Sequence, residues 1–304
     1  MRRWEGWDGV PGDLGGTAVT MGVFDGVHRG HQYLIDLTVR RAGERGLRSV
    51  VVTFEPNPLA VLAPGKEPPL LTTLDRKAEL IGARGVDALW IIPFTREFSL
   101  LNPEEFLQEV VVDRLGAAEV LVGENFRFGH KAAGDLATLR AVGTRAGYTT
   151  EGVPLQDGWS STLVRTLLTD GDVEGAARAL GREYRLEGTV VRGKARGGSA
   201  LGYPTANIGE AKGLLLPADG VYAGWLVRGE ERLPAAISVG TNPTFDDEGR
   251  RAEAYVLDFD GDLYDQWVGV DFTARLRGQV KFDSVDALLV QMAEDVKRTR
   301  ELLT

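Results

Sequence analysis

Cysteine is absent from this chain of 304 residues, and histidine and methionine each occur only three times. Without cysteine the chain can form neither a disulfide framework nor a thiolate nucleophile. The absence also fits a reducing compartment, so we expect a cytoplasmic location. A zinc site is also disfavoured, because zinc prefers at least three good nitrogen, sulfur or carboxylate ligands and the chain has no cysteine and few histidines.

Long apolar runs and an excess of positive charge are also missing. No run approaches the roughly 20 apolar residues of a membrane-spanning helix, and residues 1–16 lack the apolar core of a signal peptide. Lys and Arg number 35 against 44 Asp and Glu, which gives a formal net charge of -9. Non-specific nucleic-acid binding depends on excess positive charge. We therefore expect neither a membrane nor a nucleic acid as partner.

The pattern of the chain predicts two domains. Strand-like and helical segments alternate through the first half, which predicts an α/β domain with an open parallel sheet covered by helices on both faces. From Tyr184 onward, short strands separated by Gly and Pro predict a small antiparallel all-β barrel, followed by a helix over about Ser284–Leu303. We expect the domains to span residues 1–183 and 184–304, since such a length usually exceeds one hydrophobic core.

The stretch Gly22–His31 holds two of the three histidines and joins a predicted strand to a predicted helix. Such a turn points backbone N–H groups and the positive end of a helix dipole at a ligand, which favours phosphate. Glycines at 22, 26 and 30 allow close approach of the backbone. His28 and His31, three residues apart, should face one volume. A plain Gly-rich turn is the simpler alternative, and a zinc site is disfavoured because His130 is distant in sequence.

Polar residues follow the other predicted strands of the first half as well. Asn57 follows the second strand and the run Glu124–Gly129 follows a later one. Ligands of open α/β sheets bind at the carboxyl ends of the strands. Further on, Ser160, Ser161 and Thr162 open a helix, either as simple N-caps or, with Arg165 one turn later, as a second phosphate-binding helix start.

The second half carries its own set of candidate residues. Gly193–Gly198 is a Gly-rich basic loop, which is either flexible surface or a phosphate contact. The oxygens of Thr205 and Asn207 suit Mg²⁺, which takes few protein ligands and keeps substrate phosphates as the others. Glu253 stands in an apolar alternation and is either a solvent-facing strand residue or a base that activates a hydroxyl for attack on phosphorus.

Taken together, these motifs resemble those of the bacterial bifunctional riboflavin kinase/FAD synthetases, from about Thr17 to the C-terminal residues. The motifs in the first half are Gly-x-Phe-Asp-Gly-x-His-x-Gly-His at 22–31, Phe54-x-Pro56-x-Pro58, Val122-Gly123-x-x-Phe126-x-Phe128-Gly129 and Ser160-Ser161-Thr162-x-x-Arg165. Those in the second half are Leu201-Gly202-Tyr203-Pro204-Thr205-Ala206-Asn207, Leu216-Pro217-x-x-Gly220-Val221-Tyr222-Ala223, Gly240-x-x-Pro243-Thr244-Phe245, and Glu253 before Leu257-Asp258. Each motif alone could arise by chance, whereas their common order is highly specific.

The resemblance implies a Rossmann-like nucleotidyltransferase domain, a barrel of the riboflavin kinase type, and two reactions. The barrel domain would phosphorylate riboflavin to FMN, and the α/β domain would join AMP from ATP to FMN, releasing pyrophosphate and FAD. ATP would be the co-substrate of both reactions and Mg²⁺ the cofactor. Riboflavin, FMN, FAD and ATP would be the binding partners, and we expect a monomer or a weak homo-oligomer.

The resemblance also implies roles for individual residues. His28 and His31 would stabilise charge on the α-phosphate, and Glu253 would be the base of the kinase. Residues implied in binding ATP or phosphate are Gly22, Phe24, Gly30, Ser160, Ser161, Thr162, Arg165, Lys194, Arg196 and Gly197. Residues implied in binding flavin are Asn57, Asn125, Phe126, Arg127 and Phe128. Thr205 and Asn207 would hold the metal.

Two other functions compete with this interpretation. The α/β half could adenylylate another phosphorylated acceptor, such as a pantetheine phosphate or a nicotinamide mononucleotide, but the second half argues against it. The barrel could instead be a nucleotide-sensing or RNA-binding module. The acidity of the chain and the lack of an aromatic, basic face disfavour that alternative.

Overall fold

A computed structural model of the protein describes residues 1–154, 158–192, 203–209, 213–241 and 250–303. By contact the chain divides into two compact units. The first comprises Met1–Pro68 and Leu74–Trp159, and the second comprises Pro69–Thr73 and Ser160–Thr304.

The first unit is built on a parallel sheet of six strands in the order β1-β4-β3-β2-β5-β6. The strands are β1 (Arg2–Glu5), β2 (Thr17–Met21), β3 (Arg48–Glu55), β4 (Ala88–Pro93), β5 (Ala117–Gly123) and β6 (Thr149–Val153). The central strands β2 and β3 are buried along almost their whole length, because a parallel sheet is covered on both faces. The predicted α/β sheet is confirmed.

Helices cover both faces of this sheet. They are α1 (Arg29–Arg45), α2 (Pro58–Leu62), α3 (Leu74–Gly82), α4 (Pro103–Phe106) with a π-helical continuation over Leu107–Arg114, and α5 (Leu136–Ala146). One core packs α1 and α3 against the sheet through residues such as Ile35 and Ile81. The other packs the π-helical segment and α5 against the opposite face through residues such as Val110 and Leu139. No helix of the described ranges is long and apolar enough to cross a membrane.

The second unit contains a closed antiparallel barrel with the strand order β10-β11-β8-β7-β12-β9. The strands are β7 (Tyr184–Val191), β8 (Ala206–Ile208), β9 (Gly220–Arg228), β10 (Glu231–Gly240), β11 (Arg251–Val256) and β12 (Trp267–Arg277). Along β7 and β11 buried and less buried residues alternate, as expected when one face of each strand fills the barrel. The predicted all-β second half is confirmed, as is its final helix, α8 (Val285–Leu303).

Two helices lie between β6 and β7 along the chain and belong to the second unit. They are α6 (Ser161–Asp170) and α7 (Val173–Leu180), and α7 contacts β7 and β12. The short segment Pro69–Thr73 joins the same unit, because Leu70 exchanges backbone hydrogen bonds with the chain around Leu214. By contact, the chain passes from the first unit to the second between Trp159 and Ser160. The assignment of functional domains to residues 1–183 and 184–304 stays a prediction.

Close backbone packing in the barrel makes Gly224 a sensitive position. A Cβ at Gly224 would overlap the backbone oxygen of Asp271 and lie 2.6 Å from Ile237 Cδ1. We therefore expect Gly224→Ala to lower the free energy of unfolding of the second unit by about 2–4 kcal/mol, since strand backbones cannot yield as flexible side chains do. The urea midpoint, followed by circular dichroism, measures the change. Gly278→Ala is the matched control, because a Cβ there meets no atom of the described residues within 4 Å. Equal midpoints for the two variants would contradict the prediction.

Candidate functional site

The turn after β2 follows an unusual backbone path. Phe24, Gly26 and Val27 have positive φ angles of 50°, 78° and 41°. For the bulky Phe24 and the β-branched Val27 this conformation is strained. Burial holds them there, since each is only 1% exposed. The Thr53 hydroxyl also donates to the Val23 carbonyl at 3.1 Å, which ties the turn to β3.

The turn delivers His28 and His31 to the start of α1. His28 is the N-cap residue, and its Nδ1 accepts a hydrogen bond from the backbone N–H of His31 at 3.3 Å. The two imidazole rings stack with their centroids 3.6 Å apart, and the Phe24 ring meets His31 edge-on at 5.1 Å. The spacing of the two histidines thus brings them together, as the sequence predicts.

The His31 imidazole is neutral near pH 7, and a hydrogen bond fixes the tautomer of His28. Because a backbone N–H can only donate, the Nδ1 of His28 that accepts from it carries no proton. The pKa of His31 lies well below its ordinary value of 6.5, chiefly because of burial and further because of the charges of His28 and Lys77. The Nδ1 atom of His31 is buried and finds no hydrogen-bond partner within the described ranges. The pair can therefore present N–H donors to an anion without acting as strong acids.

Two of the predicted phosphate-binding glycines have a packing reason to be glycine. A Cβ at Gly22 would lie 3.2 Å from the Phe24 ring. One at Gly30 would lie 3.2 Å from the His28 ring and 3.5 Å from the Trp159 carbonyl oxygen. Both glycines make room for the rings that shape the turn. Their contact with phosphate, like that of Phe24, stays a prediction.

Sequence reasoning missed Lys77, which lies on the buried side of α3. Its residue exposure is 5%. Burial lowers its pKa below the ordinary 10.5, and the charges of Asp25 and Glu55 oppose that effect. A signal was present in the sequence, because Leu74, Lys77, Ala78 and Ile81 stand at i, i+3, i+4 and i+7, the spacing of an apolar helix face. A lysine within such a stripe is an anomaly that calls for a counter-charge or a ligand.

The predicted flavin-binding residues lie in loops at the carboxyl ends of β3 and β5. The Asn57 side chain caps α2 by accepting from the Leu59 N–H at 3.0 Å. Asn125 and Arg127 are exposed, whereas Phe128 is buried and stacks with Phe126 at a centroid distance of 5.5 Å. A continuous aromatic cluster runs beyond these rings, and sequence reasoning missed it because its members lie far apart in the chain. It comprises Trp7, Phe54, Trp90, Phe94, Phe98, Phe106, Phe126 and Phe128.

The predicted second phosphate-binding helix start is the start of α6. The Ser160 hydroxyl caps this helix by accepting from the Leu163 N–H at 3.1 Å. The Nε of Arg165 donates to the Pro69 carbonyl at 2.8 Å. Ser160 therefore fulfils the simpler N-cap role. Phosphate binding by Ser160, Ser161, Thr162 and Arg165 stays a prediction.

In the barrel unit, the strand register gathers Glu253, Asn207 and Thr205. Glu253 on β11 pairs with Asn207 on β8 and with Ser238 on β10. The Thr205 hydroxyl lies 3.3 Å from Glu253 Oε2, and the Asn207 side-chain amide lies 3.4 Å from the Thr205 carbonyl oxygen. Three side chains from two strand regions thus form one polar cluster.

Two members of this cluster, Thr205 and Glu253, line a cavity of about 740 Å³ on the outside of the barrel. The size lies within the roughly 300–1,000 Å³ of small-molecule sites. Tyr203 and Tyr255 line it, with their rings edge-on at 5.1 Å, and α8 supplies the apolar wall opposite the strands. Residues of that wall and of the segment leading into it include Val280, Phe282, Val285, Leu288, Met292 and Val296. Glu253 is therefore a cavity residue and not a solvent-facing strand residue.

A buried ion pair fixes α8 beside the cavity. The Arg277 guanidinium at the end of β12 donates to Asp295 on α8, with its Nη2 2.7 Å from Oδ2, and Asp295 is 4% exposed. Gln291 also donates to Asp295, at 3.0 Å. The Arg277 guanidinium lies over the Phe282 ring at 5.7 Å from its centroid. The wall is thereby held in one position against the strands.

The donor set in this cluster fits magnesium better than zinc. Thr205, Asn207 and Glu253 offer only oxygen and amide groups, and hard divalent cations prefer oxygen. Among the described residues, no three His, Cys, Asp or Glu side chains are grouped to hold a metal ion. A cation here would take few protein ligands. Lys194, Arg196 and Gly197, predicted to bind phosphate, lie outside the described residues.

Comparisons with known proteins find similarity along nearly the whole chain. The model of the FAD synthetase family matches residues 11–166, and that of the riboflavin kinase family matches residues 180–303. A protein of Listeria monocytogenes is 36% identical over 93% of this chain and 91% of its own length. One of Pseudomonas fluorescens is 37% identical, covering 94% and 93%. Both are described as bifunctional riboflavin kinase/FMN adenylyltransferases.

A solved structure has the same fold over its full extent. It comes from Streptococcus pneumoniae and is described as a macrolide-efflux protein. It shares 32% sequence identity with this chain, covers 95% of both chains and superposes with a TM-score of 0.84. Such a score over both halves shows that sheet and barrel follow one another in that protein as they do here.

The neutral state of His31 predicts how stability depends on pH. In the unfolded chain His31 takes up a proton near its ordinary pKa of 6.5, whereas in the folded protein its pKa is lower. The unfolded chain therefore binds more protons below pH 6.5, and folded stability falls as the pH falls. We expect the unfolding temperature to drop more between pH 7 and pH 5 for the natural protein than for His31→Gln. Parallel curves for the two proteins would contradict the assigned pKa direction.

Proposed function

The chain belongs to the family of bifunctional riboflavin kinase/FMN adenylyltransferases, and from this premise we propose which residues carry its two reactions. It phosphorylates riboflavin with ATP to give FMN, and it transfers AMP from ATP to FMN to give FAD and pyrophosphate. The two family domains in their order along the chain, and relatives that are 32–37% identical over nearly its full length, support both activities.

His28 and His31 serve the adenylyl transfer. An oxygen of the FMN phosphate attacks the α-phosphorus of ATP, a new P–O–P bond forms, and the bond to the β-phosphate oxygen breaks to release pyrophosphate. Charge grows on the non-bridging oxygens of the α-phosphate, and neutral imidazole N–H groups at a helix N-terminus stabilise it. The stacked pair, held by the N-cap bond, supports this role because it is oriented before substrate arrives.

The other residues predicted for adenylyl transfer bind the two substrates, FMN and ATP. We assign Asn57, Asn125, Phe126, Arg127 and Phe128 to FMN. Their position at the carboxyl ends of parallel strands supports this assignment. We assign Gly22, Phe24, Gly30, Ser160, Ser161, Thr162 and Arg165 to the phosphates of ATP, because helix starts and close backbone approach favour anions.

Glu253 is the base of the riboflavin kinase reaction. Its carboxylate accepts the proton of the riboflavin 5′-hydroxyl as that oxygen attacks the γ-phosphorus of ATP, and ADP leaves. The single observation that carries the assignment is the position of Glu253 at the wall of a cavity of about 740 Å³ that also contains aromatic rings. A flat flavin ring fits between tyrosine rings and an apolar helix face.

Mg²⁺ accompanies ATP in the kinase half, with Thr205 and Asn207 as its protein ligands. Their grouping beside Glu253 supports the assignment, as does the oxygen character of the donors. When bound, the ion would neutralise charge on the phosphate oxygens. Lys194, Arg196 and Gly197 are assigned to phosphate on sequence grounds.

We further propose that the enzyme works in the cytoplasm as a monomer or weak homo-oligomer, with no nucleic-acid partner. The absence of cysteine supports the location. The net charge of -9 supports the absence of nucleic acid.

The two activities predict a simple product pattern. Purified protein given riboflavin, ATP and Mg²⁺ should accumulate FMN first and FAD later, as measured by separating the flavins over time. Excess chelator should stop both products, and the same protein given FMN in place of riboflavin should form FAD directly. If neither FMN nor FAD appears, the assigned function is wrong.

Single-site changes should separate the two reactions. Glu253→Gln should lower FMN formation at least about 100-fold, as loss of a general base does, while FAD is still made from added FMN. His28→Ala with His31→Ala should lower FAD formation by a similar factor while FMN is still made from riboflavin. Each variant is the folding control of the other. Kinase turnover of Glu253→Gln within about threefold of the natural enzyme, less than 1 kcal/mol of barrier, would contradict its role as base.

A further inference from the structure

The lysine that stands in the apolar stripe of α3 has a defined place in the first unit. α3 lies between β3 and β4, and in such a crossover the helix runs back against the direction of the strands. Its first turn therefore lies at the carboxyl edge of the sheet. Lys77 belongs to this part of α3, and helical side chains lean toward the N-terminus of their helix. The stem of Lys77 thus leads its ammonium toward the edge where ligands bind.

The charges around Lys77 identify its neighbours. Asp25, from the turn after β2, and Glu55, the last residue of β3, both attract the Lys77 ammonium. His31 lies close enough for the ammonium to disfavour its protonation. Asp25 is itself 3% exposed. Lys77 is thus a buried cation beside the histidine pair and two carboxylates.

Lys77 differs from the other buried charges of the chain. Arg185 meets Asp271 at 2.6 Å, and Arg45 meets Glu119 at 2.9 Å. Such direct pairing is the normal way to bury a charge. Within the described residues, by contrast, Lys77 takes part in no ion pair within 4.0 Å and no hydrogen bond. An ammonium group has three donors, and those that the protein leaves unused are available to a ligand.

An anionic ligand at this edge would satisfy those donors. The Nδ1 of His31, whose protonation the Lys77 charge disfavours, is buried without a partner in the described part of the chain, so a second nitrogen near Lys77 is available to a ligand. The carboxylates of Asp25 and Glu55 alone would repel a triphosphate or a flavin phosphate. The Lys77 ammonium beside them offsets one of these two negative charges and offers N–H donors to the ligand.

We propose that Lys77 is a further phosphate-binding residue of the adenylyl-transfer reaction, donating from its ammonium to an anionic phosphate oxygen of ATP or FMN. The inference rests on the proposed function, because it assigns the ligand by the chemistry of that reaction. A structural role, in which Lys77 only offsets Asp25, is the alternative that an experiment must separate.

The test compares Lys77→Met with the natural enzyme in steady-state FAD formation from FMN and ATP. Methionine retains most of the stem and removes the charge. We expect kcat/KM to fall at least about 50-fold, while riboflavin phosphorylation by the same protein stays within twofold. Lys66→Met, at an exposed lysine of the same unit, is the matched control and should stay within twofold in both assays. Adenylylation by Lys77→Met within threefold of the natural enzyme would overturn the proposal.

The kinetic constants identify which phosphate is bound. A raised KM for FMN indicates the flavin phosphate. A raised KM for pyrophosphate in the reverse reaction, FAD plus pyrophosphate to FMN plus ATP, indicates the β- and γ-phosphates. A fall in kcat while the KM values for FMN and pyrophosphate stay unchanged indicates that Lys77 binds the α-phosphate in the transition state. Each of these results supports phosphate binding.

A double-mutant cycle with Asp25→Asn separates binding from charge compensation. If Lys77 binds phosphate, Lys77→Met costs the same factor, within threefold, with Asp25 or Asn at position 25. If Lys77 only offsets Asp25, the cost disappears in the Asp25→Asn protein, and the proposal is overturned. Should Lys77→Met fail to fold by circular dichroism, Lys77→Gln, which also removes the charge, takes its place in the cycle and is judged by the same two outcomes. A natural enzyme that makes no FAD would refute the proposed function itself, whereas FAD formation unaffected by any Lys77 change refutes only this inference.

Discussion

The adenylyl-transfer half of the molecule depends on one constraint, the left-handed turn that carries the chain from β2 into α1. Strained backbone at Phe24 and Val27 persists because both side chains are buried in the core between the sheet and α1. This path puts His28 at the N-cap and stacks its ring on His31. The hydrophobic core thereby supplies the energy that holds a polar site in a single geometry. Catalysis by fixed donors requires such rigidity, because the donors must not reorganise during the reaction.

In the kinase half, the polar site is held in place by different contacts. Its barrel interior is filled by side chains, so the cavity forms on the outer surface, between the strands and α8. The ion pair between Arg277 and Asp295 anchors that helix, and Gln291 completes the coordination of the carboxylate. Buried pairs of this kind add little net stability but impose one arrangement on the elements they join. The wall of the cavity is thus held by this ion pair as well as by the packing of α8 against β9, β10 and β12.

Much of this architecture follows from the sequence. The period-2 and helical patterns correctly predict the alternating first half, the all-β second half and the helices α1, α6 and α8, because burial of one face imposes them. The strands β1 and β6 are not predicted, since these edge strands are mostly exposed or half-buried and carry little apolar alternation, and β8 has only three residues. Spacing predicts that the two histidines meet. Sequence patterns cannot predict contacts between residues that strand register or helix packing brings together from distant parts of the chain. Such contacts are the ion pair on α8, the aromatic cluster and the pairing of Glu253 with Asn207.

Strand β11 has one further consequence. Ala252, Ala254 and Val256 pack inside the barrel, whereas Glu253 and Tyr255 line the cavity, so residues of the two kinds alternate along the strand. The strand cannot absorb the loss or gain of a single residue within its paired length, because a slip of one position would turn the Glu253 carboxylate toward the apolar interior and an alanine methyl toward the cavity. The number of residues in this strand is therefore as important to the cavity as the identity of its side chains.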